Sequence, residues 1–141
     1  MTFPLFLHVL GAMLLVGTLL AVATSILLDW RRADDAAGLT RFGLRTMVIA
    51  VVPAYVLMRV GAQWTEARAD LPGEYTWIDI GYIVADAGAV FVLVSLILAA
   101  IGLRKLRAGG GRGLARAVAV ISTLMLAAYV VAVWAMTTKP L

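Results

Sequence analysis

The amino-acid sequence predicts an all-α fold, an integral membrane four-helix bundle with both termini extracytoplasmic. Three observations carry that prediction. The 141-residue chain is 63% hydrophobic and only 14% charged, with a mean hydropathy of +0.99, whereas a soluble domain of this size has far more polar surface to cover. Four segments, about 3–28, 41–64, 77–103 and 114–136, each offer the roughly 20 predominantly apolar residues that a membrane span requires. The basic residues cluster beside alternate ends of those segments, as topology demands of them. The spans leave little chain over, so residues 1–141 read as one transmembrane domain. Cysteine is absent, which excludes disulfides, thiolate metal sites and thiol catalysis. The net charge of +4 is explained by residues flanking spans, so no nucleic-acid partner is expected.

Span one begins at Phe3. Ala21-Val22-Ala23 has the form of a signal-peptide cleavage site, but no Lys or Arg precedes the apolar run and Arg31 and Arg32 follow it. That charge order is wrong for a secretory signal, so the segment is read as a retained span. Gly17, Ala21 and Ser25 recur every four residues and predict a stripe for close helix packing. The first connection, residues 29–40, mixes charges and carries Trp30 as an interfacial anchor. Span two starts at Arg41 and Arg45, whose long side chains can reach headgroups. Pro53 falls mid-span. It frees the carbonyl of Ile49 and predicts a kink. Tyr55, Arg59 and Gln63 follow at helical spacing on one face.

The second connection, residues 65–75, is acidic and contains the Pro72-Gly73 turn signal. Trp64, Tyr75 and Trp77 bracket it as an aromatic belt. Span three places Asp79, Tyr82 and Asp86 on one face, beside a small stripe of Gly81, Ala85 and Ala89. The third connection holds Arg104, Lys105, Arg107, Arg112 and Arg116 around Gly109-Gly110-Gly111-Arg112-Gly113. A phosphate loop would need a Lys-Ser/Thr ending and a preceding strand, and neither is present. A flexible turn against anionic lipid headgroups is expected instead. Span four sets Ser122, Tyr129 and Met136 on one face, and Trp134 marks its far interface.

Charge fixes the expected orientation. Nine Lys or Arg flank the first and third connections, against Arg68 in the second and Lys139 in the tail. The positive-inside rule then places the two basic turns in the cytoplasm, in a bacterial inner membrane. At a rise of about 1.5 Å per residue, His8 lies about 10 Å, Arg59 about 7 Å and Asp86 about 6 Å to the outer side of the midplane. A lone Arg or Asp near the bilayer centre costs roughly 2.5–3.5 kcal/mol on insertion scales. The two are therefore expected to face each other. Tyr55, Tyr82 and Tyr129 fall near the same layer.

Two readings of this layer stand side by side. In one, Arg59 and Asp86 form a structural pair that sets helix register, with His8 hydrogen-bonded nearby. In the other, His8, Arg59, Asp86, Tyr55, Tyr82 and Tyr129 line an outward-facing site that binds a small ligand or moves protons. A single histidine without cysteine cannot build a zinc site. His8 could serve as one axial ligand of haem b, with Met13, Met58 or Met136 opposite.

The opening LHVLGAMLLVGT, residues 7–18, and the closing AMTTKP, residues 135–140, resemble an uncharacterised family of four-helix bacterial integral membrane proteins. That family starts with a similar His-x-x-Gly helix and ends in a Lys-Pro tail. More distantly, the layout is similar to copper-resistance D-type membrane proteins and to haem-dependent protoporphyrinogen oxidases. The latter resemblance implies a functional first-helix histidine, here His8, and an intramembrane lysine. No span of this chain contains a lysine. Arg59 is the nearest cation, and a guanidinium is not a free-base ligand. The copper resemblance implies a Met/His cluster, which the sequence does not supply. Three function classes follow: a binding or transport protein, a haem- or quinone-linked redox protein using His8, and a structural or accessory subunit. A homo-oligomer fits the small size of the chain.

Overall fold

A computed structural model describes residues 2–31, 37–69 and 75–138. Pro72-Gly73, Arg32 and Lys139 lie outside the described residues. The elements are helix α1 (Phe3–Arg31), helix α2 (Ala37–Thr46), a π-helical turn (Met47–Val51), helix α3 (Val52–Arg68), helix α4 (Thr76–Arg107) and helix α5 (Arg112–Thr138). Four helical rods of 27 to 32 residues are long and apolar enough to cross a membrane, with α2, the π-turn and α3 forming one rod. The rods overrun the expected spans by up to about a turn, because the flanking Arg, Lys, Asp and Glu are tolerated or favoured in helices. Nothing in those flanks breaks the helix until Gly109, where the backbone turns left-handed (φ 81°). There the N–H of Gly110 reaches the Lys105 carbonyl and that of Gly109 the Leu106 carbonyl, the two bonds of a Schellman stop. The glycine run is thus a tight turn.

Pro53 acts one turn ahead of itself. It lacks an N–H and its ring crowds the carbonyl four residues back, that of Ile49. The chain widens into the π-turn directly before it, a common local answer to such a clash. The two sides of the turn then pack differently. The whole rod lies along α1, but only α2 and the π-turn also lie along α4, which α3 leaves.

The rods form a square. Helix α1 neighbours the second rod and α5, and α4 neighbours α5 and the second rod. Among the described residues α1 and α4 sit on a diagonal, and their backbones make no close approach. Leu15, Leu19, Val22 and Ile26 of α1 are buried in the centre with Leu44, Met47 and Val51 of the second rod. Each of these seven is fully shielded, and burying a side chain of this kind is worth roughly 1.5–3 kcal/mol in water. In a bilayer the gain is smaller, since lipid tails are as apolar as leucine and close packing has to supply it.

Closest approach comes at two reciprocal glycines. A methyl group on Gly11 would collide with the Met58 backbone, and one on Gly61 with the His8 backbone. Helices α1 and α3 therefore touch main chain to main chain. The stripe expected at Gly17 is not the one used: Gly17 is exposed with open space around it, and only Ser25 of that stripe is buried. The α4–α5 contact also runs on small residues, with a seven-residue step. Gly81 faces Met136, Gly88 faces Tyr129, and Gly102 lies against both Leu44 of the second rod and Leu114. Ser95 and Ser122, both fully buried, fall level with each other in that register. Gly88 takes the role expected of Ala89, which is half-buried. A sustained seven-residue step winds such a pair left-handed.

Two end contacts close the frame. Thr40 donates its hydroxyl to the Asp29 carboxylate, tying α2 to α1, and the Arg116 guanidinium lies 5.2 Å over the Trp30 ring. At the other end Phe3 meets Trp64 edge-on at 6.0 Å. Gly11→Ala should lower stability by about 1–3 kcal/mol, because a rigid backbone has to yield. Gly17→Ala should change it by less than about 0.5 kcal/mol. Thermal unfolding of both variants in one detergent tests this, and equal losses would refute the close crossing.

Candidate functional site

Where α3 leaves α4, side chains rather than backbones close the gap. Helix α3 offers Tyr55 and Arg59 one turn apart, and α4 offers Tyr82 and Asp86 one turn apart. A four-residue step puts each pair on a single face. The guanidinium of Arg59 donates to Asp86 Oδ1 at 2.6 Å. It also lies 4.7 Å from the centre of the Tyr82 ring, within the range of cation–π attraction. The Tyr82 hydroxyl donates to the Glu66 carboxylate. One turn deeper, Tyr55 donates to the Ala85 carbonyl at 2.9 Å. This cluster joins one cation and two carboxylates, Asp86 on the guanidinium and Glu66 on the tyrosine hydroxyl.

The pair is not enclosed. The Asp86 side chain is 63% exposed and that of Arg59 is 21% exposed. Asp86 lies ten residues into α4, about 15 Å along the helix from its start. Exposed apolar residues flank it: Ile83 and Val90 on its own face of α4, with Val56 and Val60 on α3. A charged pair thus opens sideways from an apolar stretch of the bundle.

His8 is in the same layer but on another contact. Its Nδ1 lies 3.0 Å from the Met58 carbonyl oxygen. A carbonyl only accepts, so Nδ1 carries a proton, and in the neutral ring the lone pair is then on Nε2. His8 faces α3 across the glycine crossing, while Asp86 is on α4, diagonal to α1. The structure joins Arg59, Asp86, Tyr82 and Tyr55, and leaves His8 apart. Tyr129 lies within electrostatic reach of Tyr55 and Arg59 but bonds to neither. It is buried against Gly88 between α4 and α5, and among the described residues its hydroxyl, like those of Ser95 and Ser122, has no hydrogen-bond partner.

The acidic second connection expected at residues 65–75 includes Glu66. Glu66 is instead in the last turns of α3, and its seven-residue distance from Arg59, nearly two helical turns, was the available signal. Gln63, on the Arg59 face, is exposed. Among the described residues no three His, Cys, Asp or Glu groups converge as a metal site.

Haem b fits His8 in one respect. A backbone acceptor on Nδ1 is the usual way a protein fixes an imidazole for ligation through Nε2. It does not fit between α1 and α3, whose backbones are in contact at this level. Of the three methionines, Met58 is buried, Met13 is 69% exposed, and Met136 packs against Gly81 between α4 and α5. None is described opposite the histidine ring. No family model, curated protein or solved structure matches the chain.

The interactions across the gap are separable. Tyr55→Phe removes one hydrogen bond to a carbonyl and should cost about 0.6 kcal/mol, the average for such bonds in membranes. Arg59→Ala should cost more than the double change Arg59→Gln with Asp86→Asn, because the single change strands a carboxylate in an apolar layer. A double-mutant cycle on thermal stability measures both, and additive single and double losses would show that the pair is not coupled.

Proposed function

We propose that this chain is a multi-pass protein of the bacterial inner membrane whose outward-facing intramembrane site binds a small anionic solute together with a proton. The observation that carries this reading is the open position of the Arg59–Asp86 pair. A pair that only set helix register would be expected between packed helices. This one sits at a gap, with Tyr82 against the guanidinium and Glu66 beyond it.

The chemistry follows from the donor set. Arg59 presents a planar fork that matches a carboxylate or phosphate, and only part of it is used by Asp86. An incoming anion competes with Asp86 for the fork. The displaced carboxylate is then left without its cation at an apolar surface. In this reading a proton enters with the anion, so the layer gains no net charge. Tyr82 holds the guanidinium plane, and Tyr55 ties α3 to α4 beneath it. The basic end, with Arg45, Arg104 and Arg116, faces the cytoplasm and anionic headgroups in this reading.

A panel of acetate, benzoate and inorganic phosphate tests the site by thermal shift. At one hundred times the dissociation constant a true ligand adds about 2.7 kcal/mol of stability. That gain should vanish in Arg59→Ala, and proton uptake on binding should vanish in Asp86→Asn. If no member of the panel shifts the wild-type melting temperature, the reading fails. Orientation has its own test, since the chain has no cysteine. Gly110→Cys should react with an impermeant maleimide only from the cytoplasmic side, and Thr2→Cys only from outside.

The proton on His8 Nδ1 supports a second reading, a haem-linked redox protein with His8 Nε2 as ligand. Bound haem supplies one-electron chemistry; His8 would hold it through Nε2 while Met58 fixes the ring. An absorption spectrum before and after reduction decides. A Soret band lost in His8→Ala would favour this reading, and a featureless spectrum from haem-replete cells would remove it.

A further inference from the structure

The flank that carries the ion pair is incomplete in a single copy. Lipid is a sufficient neighbour for Val56, Val60, Ile83 and Val90, but not for the pair between them. Asp86 uses one carboxylate oxygen, and among the described residues its partner is Arg59 alone. Arg59 uses one of its five N–H donors in that bond. The exposed Asp86 carboxylate opens onto an apolar surface, where hydrocarbon offers its second oxygen no partner.

A surface that shows one cation beside one anion is complementary to itself. A twofold axis brings each charge of the first copy against the opposite charge of the second, as an isologous contact requires. Any other protein would need the same two charges at the same spacing and depth, and a second copy has them by construction. We infer that a second copy of this chain covers the α3–α4 flank about a twofold axis along the membrane normal, so that Arg59 of each copy meets Asp86 of the other. The four charges then form a closed ring, neutral overall, within an apolar rim. The inference concerns the same pair as the functional reading but needs no ligand, and in a dimer an anion would enter by displacing the partner's Asp86 as well as the chain's own. Anion-dependent stability without dimers would leave that reading intact and remove this one, and dimers without anion-dependent stability would do the reverse.

The full chain in vesicles of phosphatidylcholine and phosphatidylglycerol provides the test. Single variants Val56→Cys, Val60→Cys, Ile83→Cys and Val90→Cys report on this flank alone, because the chain has no other thiol. Under copper phenanthroline at least one should form a disulfide-linked dimer. Met13→Cys on α1 and Leu124→Cys on α5, equally exposed, should not. Charge variants supply an independent measure. Arg59→Asp and Asp86→Arg each put like charges on the flank, so neither should pair with itself. Expressed together under different tags, the two should co-purify at least tenfold better than either with a differently tagged copy of itself. Where each is lost when expressed alone, recovery of both on co-expression supports the pairing. Cross-linking no stronger than at Met13 or Leu124, no preference for the mixed pair, or loss of both variants even together would overturn it.

Discussion

The crossing of α1 and α3 at Gly11 and Gly61 constrains the rest of the bundle. Main-chain contact there leaves no side chain to adjust, so α3 is committed to α1. The second rod cannot then follow α4 along its whole length. It packs on α4 through α2 and the π-turn and departs at Pro53. The gap between α3 and α4 is the result of these two local facts, a pair of glycines and one proline.

That gap explains why polar residues are tolerated at this depth. Helices in full contact would have room only for small or apolar side chains, as in the α4–α5 seam with Gly81, Gly88 and Ser95. Across a wider space, long side chains can reach each other. Arg59 reaches Asp86, Tyr82 reaches Glu66 and Tyr55 reaches the Ala85 carbonyl. Each contact offsets the cost of a polar group that the membrane would otherwise penalise. The hydroxyls of Ser95, Ser122 and Tyr129, unpartnered among the described residues, show the opposite case of polar groups shut into a tightly packed seam.

Much of this was legible in the sequence, and the limits have physical causes. The four spans follow from hydropathy alone, and the Arg59–Asp86 contact follows from the cost of isolating either charge. The Ser122, Tyr129 and Met136 face follows from helical spacing, and these residues do line the α4–α5 contact. What spacing could not supply is azimuth between helices. His8 shares the depth of Asp86, yet which neighbour it faces depends on the order of rods around the square. Gly17 and Gly11 look equivalent as small residues in one helix, and only the partner backbone distinguishes them. Glu66 reads as loop because acidic residues near a Pro-Gly signal mark a connection, although the helix simply continues.

The π-turn gives the second rod a rotational phase that a continuous α-helix would lack. One widened turn amounts to about one extra residue, or roughly 100° of rotation for everything that follows. The direction in which Tyr55, Arg59 and Glu66 project is therefore set upstream, between Met47 and Val51, and not by their own spacing. A helical wheel drawn through the whole rod points Arg59 away from its true neighbour. In lineages of this fold, a one-residue deletion between Met47 and Val51 would leave every apolar residue apolar and every span long enough. It would nonetheless turn the cation off α4 and leave the carboxylate alone.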